Sequence, residues 1–296
     1  MIGDRFSGSE MAFHQTFLNL GRTSKSTFSG TPTPDSDFIV SFGSLPADTP
    51  DWYQSYPIHR KVAILPENPI IYFPDNKYLE HIGHLIAPAV PMSWNQREKF
   101  IPSHGAVPWF YGVPFQTNVG LTHVRNELKP KELNFHAERP YPRKEKLLSM
   151  VTSTKSWLPG HSFRIELGSQ LKAKLGDQID LFGFGHNPIS DKSAALDPYL
   201  YTIVVENYFI PNYFTEKLCD AYLGFSAPIY IGAPNIQSFF DAPVLNAGTE
   251  SVEQAVTTIL RLIDKPVDID AVLRNRWQVM FQHNLFYHLE RILTRM

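Results

Sequence analysis

The sequence predicts an α/β protein built as two halves, each a parallel sheet covered by helices, with a ligand cleft between them. Three observations lead there. At 296 residues the chain is long for one ordinary domain and comfortable for two. In its second half, short apolar runs of strand length alternate with longer helical ones, the pattern of a parallel sheet with helical crossovers. A charged, Pro-punctuated stretch at 127–146 separates this half from the first and reads as an inter-domain connection. Open sheets of this kind bind nucleotides at the carboxyl ends of their strands. The expected division is 1–140, an acceptor-side domain; 141–270, a nucleotide-binding domain; and 271–296, a helical tail.

Each element has its own signal. Residues 22–36 are rich in turn formers and read as loop. Strands are expected at 38–42 and 62–65, with a further apolar run at 84–90. Trp109, Phe110 and Tyr111 stand between prolines and glycines, so 102–114 reads as a folded loop. Beyond the connection come a strand at 147–152, a helix at 162–175, strands at 179–182 and 201–205, a helix at 215–223 and a strand at 228–231. Residues 251–263 form an amphipathic helix. The tail gathers Leu273, Trp277, Met280, Phe281, Leu285, Leu289, Ile292 and Leu293 on one broad helical face, with Arg274, Arg276, Arg291 and Arg295 among them. That suits a helix packed back across the domains. The alternative is a basic amphipathic helix in peripheral contact with a membrane.

Composition narrows the function classes. At 43% hydrophobic and 13% aromatic the chain can bury substantial cores. Its formal charge of −2 argues against a nucleic-acid binder. Cys219 is the sole cysteine, which rules out an intrachain disulfide framework, and its apolar helical setting suits a buried small hydrophobe. No run of about 18 apolar residues could span a bilayer, and the first 21 residues lack a basic-then-apolar leader pattern. A cytoplasmic protein is expected, with the inner membrane face as the place for any peripheral contact.

The chemistry concentrates between Tyr201 and Ile236. An apolar strand ends in Glu206-Asn207, and a short aromatic loop delivers Thr215-Glu216-Lys217 at a helix start. Thr215 can cap that helix; Lys217 and the free amides would then attract an anion such as a pyrophosphate. Equally, Glu216 favours a helix start for its charge alone and Lys217 points into water. Spacing does not choose between these readings.

The ordered run Glu206-Asn207, then Tyr213-Phe214-Thr215-Glu216-Lys217-Leu218, then Pro228-Ile229-Tyr230-Ile231-Gly232 with Pro234-Asn235, resembles the donor-binding signature of the family 10 α1,3/4-fucosyltransferases. A second block, Lys146 to Ser153 followed by Arg164, is similar to that family's strand, Ser-Asn loop and helix-borne arginine. Thr154 stands where Asn is usual. The resemblance implies a GT-B-like fold of two Rossmann-like domains and an inverting transfer of fucose from GDP-fucose to a glycan hydroxyl. It implies that Arg164 and Lys217 neutralise the donor diphosphate, Glu216 binds ribose or sugar, and Asn207 and Tyr213 line the donor pocket. Arg164 offers a planar fork suited to phosphate. Pro66-Glu67-Asn68-Pro69 resembles the family's Gly-Glu-Asn, which makes Glu67 the candidate general base, with Asp75 and Glu80 the next carboxylates in sequence. Other readings are a transferase of the same fold with another nucleotide-sugar, and a non-catalytic nucleotide- or glycan-binding relative.

No cofactor or metal is expected. Asp35-Ser36-Asp37 precedes its strand instead of ending it, and Asp268-Ile269-Asp270 sits at a helix start, where Asp caps. His81 and His84 have no third ligand near them in sequence.

Overall fold

The computed structural model describes residues 12–16, 21–43, 49–67, 76–91, 94, 97–113 and 131–296. Asn68, Pro69 and Asp75, and most of the first 21 residues, lie outside them. The described chain contains two all-parallel sheets, the two Rossmann-like halves of a GT-B-like plan.

In the first sheet the order is β1 (Ile39–Phe42), β2 (Lys61–Ile64), β3 (His84–Ala87), β4 (Phe100–Pro102). Every residue of β1 and β2 is buried. That suits their mostly apolar sequences, because a parallel strand covered on both faces has no solvent side on which to alternate.

The second sheet contains β5 (Lys146–Val151), β6 (Ile179–Phe182), β7 (Tyr199–Val205), β8 (Ala227–Ile231) and β9 (Leu245–Asn246), in the spatial order β6-β5-β7-β8-β9. From β5 the chain moves outward to β6 and then returns to β7 on the opposite side. The carboxyl ends of β5 and β7 therefore flank the point where strand order reverses, which is where open α/β sheets hold ligands. The Pro159–Leu175 helix follows β5 and begins three residues earlier than the apolar spacing predicts, because Pro159 serves as its first residue. Ser251 caps the Val252–Ile263 helix by accepting from the Gln254 amide.

Two segments run differently from the sequence reading. The tail is not one helix: Ile269–Gln278 passes through a π-turn at Val279–His283, and a second helix, Leu285–Leu293, starts afresh. Asn284 makes the break, accepting from the Tyr287 amide as a cap. The two pieces serve different cores. Val272, Val279 and Met280 pack with the second sheet, and Leu285, Phe286 and Leu289 with the first. Within the stretch read as connection, Leu133–Glu138 is a short helix, and its Leu133 joins Trp109 and Tyr111 in the second sheet's core.

Asp268 accepts from the Ala271 amide and caps its helix. Cys219 is buried. Among the described residues no group of three metal-ligating side chains comes together, and no helix is long and apolar enough to cross a membrane.

Candidate active site

Glu206 directly follows β7 and is completely buried. A buried carboxylate must be paired, and this one is paired by Thr215 and Lys217 at the start of the next helix. Thr215 donates to it twice, through its amide and its hydroxyl, each at 2.8 Å. Lys217 Nζ lies 3.3 Å from its Oε2 and also donates to the Thr215 hydroxyl at 2.8 Å. Thr215 does occupy the cap position of the Glu216–Leu223 helix, but its side chain makes no capping bond because the hydroxyl is committed to Glu206. The sequence shows why Glu206 escaped selection as a site residue and also how it could have been found. A lone acid closing a run of apolar strand residues has no local partner, so its partner must come from across a turn.

Arg164 lies on the Pro159–Leu175 helix, only 6% exposed, and its Nε has no hydrogen-bond partner. Burial depresses its pKa, while Glu206 and Glu216 favour the charge. This helix and β7 meet backbone to backbone. The Gly160 amide donates to Asn207 O at 3.1 Å, and a Cβ at Gly160 would sit 1.9 Å from Glu206 O, so only glycine allows the approach. The Asn207 side chain favours the charged form of His161. Burial and the cations Arg164, Lys155 and Lys217 lower the His161 pKa to about 4, so the imidazole is neutral at pH 7.

Tyr213 carries the site across to the other domain. Its hydroxyl donates to Glu67 Oε2 at 2.7 Å, and Glu67 stands just beyond the carboxyl end of β2. Two residues anchor the loop on either side of this contact. Tyr230 OH donates to Tyr213 O at 3.2 Å, and Asn212 pairs with Asn235 while reaching Pro88 O at 3.3 Å. Burial raises the Glu67 pKa; Lys217 and the Tyr213 hydroxyl oppose that rise. The Lys217 pKa is raised despite burial, by Glu216, Glu206 and Glu67 in turn. Glu216 is lowered, with Lys217 and Lys192 outweighing its desolvation.

All six residues singled out from sequence, Glu67, Arg164, Asn207, Tyr213, Glu216 and Lys217, thus fall in one connected group at the facing strand ends of the two sheets. Glu80 is exposed on the Asn76–Glu80 helix. With Glu206 the group carries three carboxylates against two cations, and burial raises the Glu67 pKa while Glu216 is lowered.

Lys217 is more deeply tied in than an anion ligand on a helix end would be. Removing one partner of a buried charge pair leaves the other uncompensated and costs about 3 kcal/mol or more. Lys217→Ala is therefore expected to lower stability by ~3 kcal/mol, read by urea unfolding. An unchanged unfolding midpoint would mean that Glu206 is satisfied by Thr215 alone.

No protein-family model matches the chain. Over 76 residues it is 35% identical to an α-(1,4)-fucosyltransferase of Arabidopsis thaliana, a stretch that is 25% of this chain and 19% of that protein. The chain thus matches about a fifth of that relative's length. Among solved structures it is similar to an α1,3-fucosyltransferase with GDP, at 17% identity and a TM-score of 0.49, covering 91% of this chain and 80% of the other. The structure of an α1,3-fucosyltransferase with GDP-fucose gives 16% identity and a TM-score of 0.47, over 89% and 79%.

Proposed function

We propose that the chain is an inverting glycosyltransferase that moves fucose from GDP-fucose to a glycan hydroxyl. One observation carries the reading: a carboxylate from the first sheet's edge, Glu67, converges with two cations from the second sheet's edge, the buried Arg164 and the partly buried Lys217. An inverting transfer needs those two parts on opposite sides of the reacting carbon. The cations hold the departing diphosphate and stabilise the charge that grows on it. The carboxylate takes the proton of the attacking hydroxyl. The 35% identity with a fucosyltransferase over part of the chain supports fucose as the sugar.

Arg164 fits the diphosphate role on its own geometry. A guanidinium that is buried, with one N–H unpaired, is suited to an acceptor of phosphate type. Hydrogen bonds to charged groups contribute about 1.5–3 kcal/mol, so Arg164→Ala is expected to weaken GDP binding by at least ~10-fold. Titration calorimetry of GDP, UDP and CMP against the parent and this variant tests the site and the base together. Equal affinity in both proteins would remove Arg164 from the donor site. Turnover of GDP-fucose across an array of glycan acceptors tests the reaction itself.

In this proposal protein cations, and no metal, meet the diphosphate charge. Activity is accordingly expected to persist in excess EDTA. Complete loss, restored by Mn²⁺ or Mg²⁺, would overturn that part of the proposal.

A further inference from the structure

Trp157 stands on the loop between β5 and the Pro159–Leu175 helix and is 71% exposed, more than any other large hydrophobic side chain among the described residues. Its position is not that of a stray surface ring. The indole meets His161 edge-on at 5.6 Å, and His161 lies one helical turn before Arg164. His161 Nδ1 is itself buried without a partner. Trp157 is therefore separated from the diphosphate-type cations by a single side chain. The ring face is reachable by a charged group, since Lys155 Nζ already lies 5.5 Å over it.

The neighbouring strand end repeats the feature. Phe184 is 57% exposed directly after β6, between Gly183 and Gly185, whose φ angles are 108° and 84°. A Cβ at Gly185 would lie 2.5 Å from Thr154 Cγ2, so the turn carrying Phe184 rests on the loop carrying Trp157. Two exposed aromatic rings thus rise from adjacent loops at the carboxyl edge of the second sheet, beside the point where strand order reverses.

In a nucleoside diphosphate one ribose separates the phosphates from the base. We infer that Trp157 is the stacking surface for the nucleobase of the donor, with a two-ring purine favoured because it overlaps the indole most fully. The inference rests on the nucleotide-donor reading above and adds to it the residue that meets the base.

Inorganic pyrophosphate, GDP and UDP are titrated against the parent, Trp157→Ala and Trp157→Phe, with tryptophan emission recorded. The exposed position of Trp157 leaves folding intact in both variants. GDP is expected to quench parent emission and to bind Trp157→Ala about 5- to 160-fold more weakly, the range for loss of a base–aromatic stack. Trp157→Phe should retain most of the affinity, UDP should lose less than GDP, and pyrophosphate should bind all three proteins equally. GDP affinity unchanged in Trp157→Ala, with pyrophosphate still bound, would overturn the inference and leave the donor site standing. Binding of neither GDP nor pyrophosphate by the parent would overturn both.

Discussion

Glu67→Gln is expected to lower kcat by ~10²–10⁴, the contribution typical of a positioned general base, while GDP affinity stays close to that of the parent. The substitution is nearly isosteric, and a Gln carbonyl can still accept the Tyr213 hydroxyl that now meets Glu67 at 2.7 Å. What it removes is basicity. A pH profile supplies an independent reading. The base must be ionised to act, so kcat/KM should rise with pH through the Glu67 pKa. Burial raises that pKa, so the acid limb should lie above the ordinary carboxylate value of 4.5. The Tyr213 hydrogen bond favours the ionised carboxylate and holds the pKa down. Tyr213→Phe should therefore move the acid limb to higher pH. A Gln variant with near-normal turnover would show that another carboxylate takes the proton. An acid limb unmoved in Tyr213→Phe would show that the limb belongs to a different group.

The parts of this molecule that could be read from sequence are those where burial leaves a one-dimensional trace. β1, β2, β5, β7 and β8 lie within buried sheets, so their apolar runs mark them to within two residues. β4 and β9 have only three and two residues, too few to show a period, and their strand character comes from pairing with β3 and β8. The tail failed as a single helix because periodicity continues across Asn284, whereas the break depends on a side chain turning back to cap the next turn. The candidate site was legible as a set of residue types but not as a charge balance. Glu206 controls that balance by holding both Thr215 and Lys217. Its role depends on a nine-residue return of the chain that no spacing rule describes.

A fall in pH from 7 to 5 is expected to remove about 4 kcal/mol of folding stability through His283 and His288 alone. These two and His104 form a buried seam where the first sheet, the second sheet and the tail meet. The Ala106 amide donates to His104 Nδ1 at 3.1 Å, so that nitrogen is the acceptor and Nε2 carries the proton. His283 Nε2 faces Phe239 O at 2.8 Å and must donate, which leaves its Nδ1 to accept from His104 Nε2 at 3.2 Å. The His288 ring lies 4.0 Å from that of His104, tilted by 38°, and meets Ser103 Oγ at 3.2 Å. A proton added to His104 or His283 would set one N–H against another. Burial, with the neighbouring imidazoles and Arg291 opposing further charge, lowers His283 to about 4, His288 to about 3 and His104 well below 6.5.

The sign follows from proton counts. Between the unfolded pKa near 6.5 and these folded values the unfolded chain binds more protons, so acid favours unfolding and stability grows as pH rises toward 7. At pH 5 each depressed histidine contributes about 2 kcal/mol of loss, a large share of the ~5–15 kcal/mol that holds a typical domain folded. Urea unfolding between pH 5 and 7 measures the slope, and His283→Gln should flatten it whatever that variant's stability at pH 7, because the glutamine cannot titrate. The effect should reach the candidate site, since the Phe214 ring lies 4.2 Å from His104 and directly follows Tyr213. Nucleotide affinity is therefore expected to fall in the same pH window. A parent protein with no loss of stability between pH 7 and 5, or an unchanged slope in His283→Gln, would show that the seam admits protons without opening.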